Sequence, residues 1–306
     1  MSDDESMGGD LFQEPEGYFK PEEEPTFVRH QMLNGNELQL RLVGHNPLWG
    51  HLLWNAGRTL ADYLETNCDR LIQGKTVLEL GAGAGLPSLI CAVKGATQTV
   101  VTDYPDPDLV ENLRYNVEHC DRLPSPRNIE AEGYLWGAPA TEIARHLPKS
   151  DQAQGFDLLI LADLLFNHSE HRKLVATVQQ TLKKSHDAQA LVFFTPYRPW
   201  LLEKDLAFFD LARSEGFNVE KIFEKPMEKV MFEEDPGPAV TDLAHMLKRE
   251  LTSAPEESYP CGIAIAALFQ QPNKAQELPL MILLTNVHRR RNLFCSALAF
   301  LSQTTR

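Results

Sequence analysis

Three glycines at alternate positions, Gly81, Gly83 and Gly85, stand between a short apolar run, Val77 to Leu80, and the segment LPSLICAVKG. An apolar strand, a glycine turn and a helix together cradle nucleotide-like ligands. Glycines let the backbone approach a bulky group, whether a diphosphate or an amino-acid moiety. The dinucleotide fingerprint, however, needs its third glycine three places after the second, and Leu86 occupies that position. A nicotinamide-dinucleotide dehydrogenase is therefore disfavoured. Two acids flank the loop. Glu79 lies inside the apolar run, where a carboxylate is costly unless hydrogen-bonded or paired. It reads either as a structural acid met by neighbouring N–H groups or as an anchor for a ligand's ammonium. Asp103 ends TQTVVTD, 18 residues after Gly85. That is near the spacing at which an acid meets a ribose diol in doubly wound folds, although a helix cap is the competing role.

These residues need a sheet to hold them. ELQLRLVG alternates Leu38, Leu40 and Leu42 on one face, as a strand does, and Leu52 to Leu64 has helical period. After the glycine loop, TQTVVTD is a second short strand. Asp106 then caps a helix with Pro107 at its first position and Leu109, Leu113 and Val117 along one face. NIEAEGYLWG reads as a weaker strand ending at Trp136, and FDLLILADLLF as a continuous apolar strand of a parallel sheet. Ser169 is placed to cap a helix through Lys184. QALVFFTPYRP is another buried strand closed by Pro196, and WLLEKDLAFFDLARSEG a helix stopped at Gly216. FNVEKIFE and CGIAIAALFQ supply the last strands. About seven strands with helices between most of them predict an α/β fold: a doubly wound, mostly parallel seven-stranded sheet with an N-terminal extension. The long connection from Lys225 to Tyr259 holds a short helical pattern, TDLAHMLKREL, suited to a lid or insertion.

Bulk properties narrow the classes. The chain has 306 residues, 43% of them apolar, and a net charge of −14. So acidic a chain is a poor general binder of phosphate backbones, which disfavours nucleic acid and suits a basic partner. Residues 1–24 carry nine acids and one lysine and read as a disordered or loosely docked tail. Residues 25–270 form the folded domain, and 271–306, with LPLMILL and HRRR, an atypical extension. The start MSDDESMGGD is no signal peptide, and no apolar run reaches the length of a membrane span. Five scattered cysteines without a CxxC pair argue against a zinc site or disulfide framework and fit a cytoplasmic protein with reduced thiols. His168 and His171, three apart, read as surface helix residues rather than metal ligands.

VLELGAGAG followed by VVTDYPDPDLVENLRYNV resembles the class I S-adenosylmethionine methyltransferases. YLWG, FDLLILADLLFNHSEH and FFTPYRP are similar to their nicotinamide N-methyltransferase-like group of small protein methyltransferases. NPLWGHLLWNAG and MFEEDPG resemble, within it, the fungal enzymes acting on the N-terminal amine and an adjacent lysine of translation elongation factor 1-alpha. The resemblance covers about residues 15–270. It implies S-adenosylmethionine as cofactor and a Rossmann-like methyltransferase sheet. Gly81, Ala82 and Gly83 would pass under the methionine part, Asp103 hold the ribose hydroxyls, Trp136 lie against the adenine, Trp54 close over the cofactor, and Ala162 offer its backbone. Asp163, Phe166, Asn167 and Tyr197 would line the acceptor pocket, with helix capping the competing role for Asn167 and Ser169. No dedicated catalytic base stands out. A small-molecule amine N-methyltransferase and a non-catalytic binding module share the cofactor motifs.

Overall fold

The computed structural model describes residues 23–44, 46–47, 49–226 and 262–270. The acidic tail up to residue 22, most of the long connection before Tyr259 and the extension after Gln270 lie outside the described residues.

The chain opens with a hairpin, β1 (Thr26–Gln31) and β2 (Glu37–Leu42), paired antiparallel as a separate small sheet. Leu38, Leu40 and Leu42 are all buried, as their alternation predicts. Helix α1 (Asn55–Thr66) begins three residues later than the apolar period suggests, with Trp54 still extended before its first turn. A single turn, α2 (Cys68–Leu71), follows. Next come β3 (Thr76–Leu80), α3 (Leu86–Val93), β4 (Gln98–Asp103) and α4 (Pro107–Glu118). Asp106 caps α4 as expected, accepting from the N–H groups of Asp108 and Leu109. β5 (Ile129–Gly133) stops short of the expected end at Trp136, so Tyr134 to Trp136 sit in the loop beyond the strand.

The short α5 (Thr141–Ala144) precedes β6 (Leu158–Ala162). β6 does not run on to Phe166, because Asp163 turns into a left-handed conformation with φ 54°. A 3-10 turn, His168–Glu170, leads into α6 (His171–Thr181), which ends before Lys184. Ser169 does not cap this helix; its hydroxyl donates to Asn167 Oδ1 at 3.0 Å. β7 (Gln189–Phe194), α7 (Leu202–Ser214), β8 (Phe217–Pro226) and β9 (Gly262–Gln270) complete the described chain.

The main sheet has seven strands in the order β5-β4-β3-β6-β7-β9-β8. The first five run parallel, while β9 lies antiparallel between β7 and β8. The order reverses between β3 and β6, and in open parallel sheets ligands bind beyond the carboxyl ends of strands at such a switch point. Burial is two-sided, as parallel strands require. Val77, Leu158, Ile160, Leu191 and Phe193 face α1, α3 and the hairpin, and Leu78, Leu80, Leu159, Leu161 and Val192 face α6 and α7. Cys91 and Cys120 are buried and free, and Cys68 is partly buried and free.

Candidate active site

A cavity of about 410 Å³ opens at the carboxyl ends of β3, β4 and β6. It gathers Trp54, Gly81, Ala82, Gly83, Asp103, Trp136, Ala162, Asp163, Phe166 and Asn167 into one lining. Tyr197 stands outside that lining and reaches it through Asp163.

The glycine loop is stitched to the neighbouring strand. Ala82 N–H donates to the Thr102 carbonyl at 3.0 Å, and Thr102 Oγ1 to the Glu79 carbonyl at 2.7 Å. Gly81, Gly83 and Gly85 have φ of 58°, 57° and 75°, a region that side chains rarely adopt. At Gly81 the space is also taken: a Cβ would lie 2.6 Å from Leu164 and 3.2 Å from Trp136. Asn116 Nδ2 holds the Ala84 carbonyl at 3.0 Å and the Arg41 carbonyl at 2.9 Å, tying the loop to the N-terminal hairpin.

Asp103 accepts from Gly83 N–H and from Tyr104 N–H, each at 2.6 Å. Burial raises its carboxyl above the ordinary value, against the pull of those two bonds. Its position at the end of β4 is the one expected, and it orders the glycine loop as well as facing the cavity. Glu79 is 1% exposed and accepts from Ser88 N–H at 2.9 Å, in the first turn of α3. Burial pushes it up to about 8. A ligand ammonium beside it would favour the ionised form.

Beyond β6, a set of hydrogen bonds converges on Asp163. Its Oδ1 accepts from Thr195 N–H at 2.7 Å; its Oδ2 accepts from Ala56 N–H at 3.3 Å and from the Tyr197 hydroxyl at 3.2 Å. Burial raises this carboxyl to about 7, with the Thr195 bond opposing. Behind it, the loop from Leu164 to Glu170 is fastened by groups expected at the surface. His171 is buried and pairs through Nε2 with the Leu165 carbonyl at 2.8 Å. His168 Nε2 lies 2.6 Å from Asp205 Oδ1 on α7, and His171 packs edge-on against Phe208. Both histidines are partners of α7, which no local pattern reveals. Among the described residues, no group of three or more His, Cys, Asp and Glu stands where it could hold a metal.

Trp49, Tyr104, Leu164, Glu170 and Lys173 also line the cavity and escape the sequence reading. Glu170 and Lys173 carry a signal in their i,i+3 spacing and form an ion pair of 2.8 Å. Trp49 lies in the quoted NPLWG stretch, but nothing in its type announces its φ of 64°.

A glycine cradle at a topological switch point, an acid at the end of the second core strand and a buried acid under the loop define a cofactor site for an adenosyl amino acid. The chain belongs to the lysine methyltransferase family, whose model matches residues 33–215. It is an S-adenosylmethionine-dependent methyltransferase.

The curated relatives are close. The chain is 54% identical over 230 residues to the protein N-terminal and lysine N-methyltransferase of Aspergillus fumigatus, covering 75% of this chain and 88% of that one. It is 45% identical over 253 residues to the enzyme of the same name from Schizosaccharomyces pombe, covering 81% and 97%. One solved structure, assigned as a methyltransferase and complexed with SAH, superposes with a TM-score of 0.50 at 11% identity. The match covers 82% of this chain and 57% of that one, and likeness at such identity speaks for the fold alone.

Proposed function

We propose that the chain methylates the N-terminal amine, and then an adjacent lysine, of translation elongation factor 1-alpha in the cytoplasm, and that residues 25–270 carry this activity. The observation that carries this reading is the identity of 45–54% to enzymes named for protein N-terminal and lysine methylation. The resemblance of NPLWGHLLWNAG and MFEEDPG to enzymes acting on that factor supplies the finer step. The net charge of −14 suits a basic acceptor segment, whose encounter would slow as salt screens it.

The cavity fits the cofactor. At Gly81 a side chain would fill the cradle, Asp103 offers a carboxylate for paired hydroxyls, and Glu79 stands ready for an ammonium. Gly81 to Gly83, Asp103, Trp136, Trp54 and Ala162 are the residues we assign to hold it. When bound, it supplies a methyl group on a sulfonium, an activated electrophile. This chain's task is then to present a neutral amine, aligned and shielded from water. An α-amine has a reference pKa near ~8 and a lysine near ~10.4, so deprotonation at pH 7 costs roughly 1–1.5 against 4–5 kcal/mol. Asp163 stands at the acceptor end with Oδ2 beside the Tyr197 hydroxyl. Ionised, it attracts the incoming ammonium, and its value of about 7 lets it exchange a proton near neutrality. Asn167, Phe166, Glu170 and Lys173 line the same cavity, and we assign them to the wall around the acceptor.

Mass spectrometry of the elongation factor, incubated with enzyme and methyl donor, tests the reading. Methyl groups are expected on the terminal residue and on the nearby lysine, and acetylation of the terminus should abolish the first product. Turnover of nicotinamide with an unmodified factor would replace this acceptor by a small amine.

A further inference from the structure

Asp163 and Trp49 are the two non-glycine residues with positive φ among the described ones. Both line the same cavity. A bulky aromatic is a genuine outlier there, and such strain persists only where the surroundings over-determine it.

A chain of contacts joins the two. Trp54 donates from Nε1 to the Trp49 carbonyl at 3.3 Å, and the two rings meet edge-on at 6.2 Å. The Trp54 ring lies 5.2 Å from that of Tyr197. The Tyr197 hydroxyl then reaches Asp163 Oδ2 at 3.2 Å. The path also closes through the backbone, because Oδ2 accepts from Ala56, two residues past Trp54.

Two details make Tyr197 the hinge of this chain. Trp54 precedes the first turn of α1 with an extended backbone, so its ring is oriented by its neighbours rather than by the helix. On Asp163, Oδ1 is fixed at 2.7 Å by Thr195, whereas Oδ2 accepts two longer bonds among the described residues. Tyr197 itself is partly buried and stands behind these lining residues.

We propose that Tyr197 is a positioning residue that couples the two ends of the cavity, its ring bracing Trp54 on the cofactor side and its hydroxyl aiming the Asp163 carboxylate on the acceptor side. The second half rests on the reading of Asp163 as the acceptor-end acid. The segment from Trp49 to Ala56 is thereby set in register with the end of β7, so that cofactor closure and acceptor alignment share one support.

Tyr197→Ala and Tyr197→Phe separate the two halves. SAH affinity is read by calorimetry on the full chain, and turnover on a peptide of the elongation factor N-terminus. Tyr197→Ala is expected to weaken SAH at least fivefold and to lower turnover at least tenfold. Tyr197→Phe should restore SAH affinity to within twofold of the wild type while turnover stays at least tenfold down. Full recovery of turnover in the phenylalanine variant would overturn the role of the hydroxyl. Unchanged SAH affinity in the alanine variant would overturn the bracing. If Tyr197→Ala fails to fold, by circular dichroism, Tyr197→Leu takes its place. A wild-type enzyme that transfers no methyl group to the peptide overturns the acceptor reading instead, and the SAH arm, which needs no acceptor, still decides the bracing.

Discussion

Around the glycine loop, the left-handed backbone is taken by Gly81, Gly83 and Gly85; across the cavity it is taken by Asp163 and Trp49. The first set adopts that conformation at no steric cost. The second is held there by three hydrogen bonds to Asp163 and by the aromatic contacts of Trp49. The glycine loop is thus shaped by residue type, and the facing wall at Asp163 and Trp49 by tertiary restraint.

That contrast predicts a division of labour. Asp163→Asn should give the largest effect, lowering turnover by about 10²–10⁴, the range for a lost acid–base group. SAH affinity should change little, as a calorimetric titration would show; a large loss of affinity would erase the distinction between the sides. Asp103→Ala comes next. It removes the proposed partner of the ribose and frees Gly83, at roughly 1.5–3 kcal/mol for each bond to a charged group. Cofactor affinity should fall accordingly, and tight NAD binding in its place would contradict the whole assignment. Trp136→Ala should weaken the cofactor by roughly 1–3 kcal/mol, the range for stacking on a base. The melting temperature of the complex should drop more than that of the free protein. An unchanged affinity would make Trp136 a packing residue under Gly81 only.

The smallest effect is on stability against pH. Glu79 and Asp163 have folded values of about 8 and about 7, above the ordinary carboxyl range. Over that window the folded state binds more protons than the unfolded, so these groups lower stability as pH rises from the mid-4s through about 8. Glu132 and Asp157 are held below the ordinary range by their hydrogen-bond and ionic partners, and their contribution is lost only on further acidification. Glu79→Gln should flatten the decline of the ligand-free protein between pH 5 and 8 in urea titrations. An unchanged decline would show that Glu79 is ionised in the free protein.

The same division explains what could be read from the chain alone. Gly81 and Gly83 announce their backbone by lacking a side chain, and Asp103 follows from spacing along a strand. Those local signals placed the glycine loop, Asp103 at the end of β4 and the parallel core. The position of Trp136 was legible, but not that β5 would end before it, where the Tyr134 hydroxyl donates to the Ala138 carbonyl in the loop beyond the strand. His168 and His171 looked like surface residues because their partners, Asp205 and Phe208, lie on a helix more than thirty positions away. Tyr197 looked like a lining residue for a similar reason: its neighbours Asp163 and Trp54 are remote in sequence. The turn at Asp163 ended a run of apolar residues that otherwise continues through Phe166, and its one local mark was the aspartate itself, a side chain that tolerates the left-handed region.

The placement of β9 has a consequence for how the chain is made. Among the described residues, β8 pairs in the sheet with β9 alone, and β9 also completes the open side of β7. During synthesis, therefore, the parallel half with its cofactor loop can assemble while β8 waits unpaired beside an incomplete edge. At about 5–20 residues per second that wait lasts seconds. A chain interrupted after β8 would present an apolar edge at β7 to whatever strand it met, which makes this interval the one in which a nascent-chain chaperone would matter most.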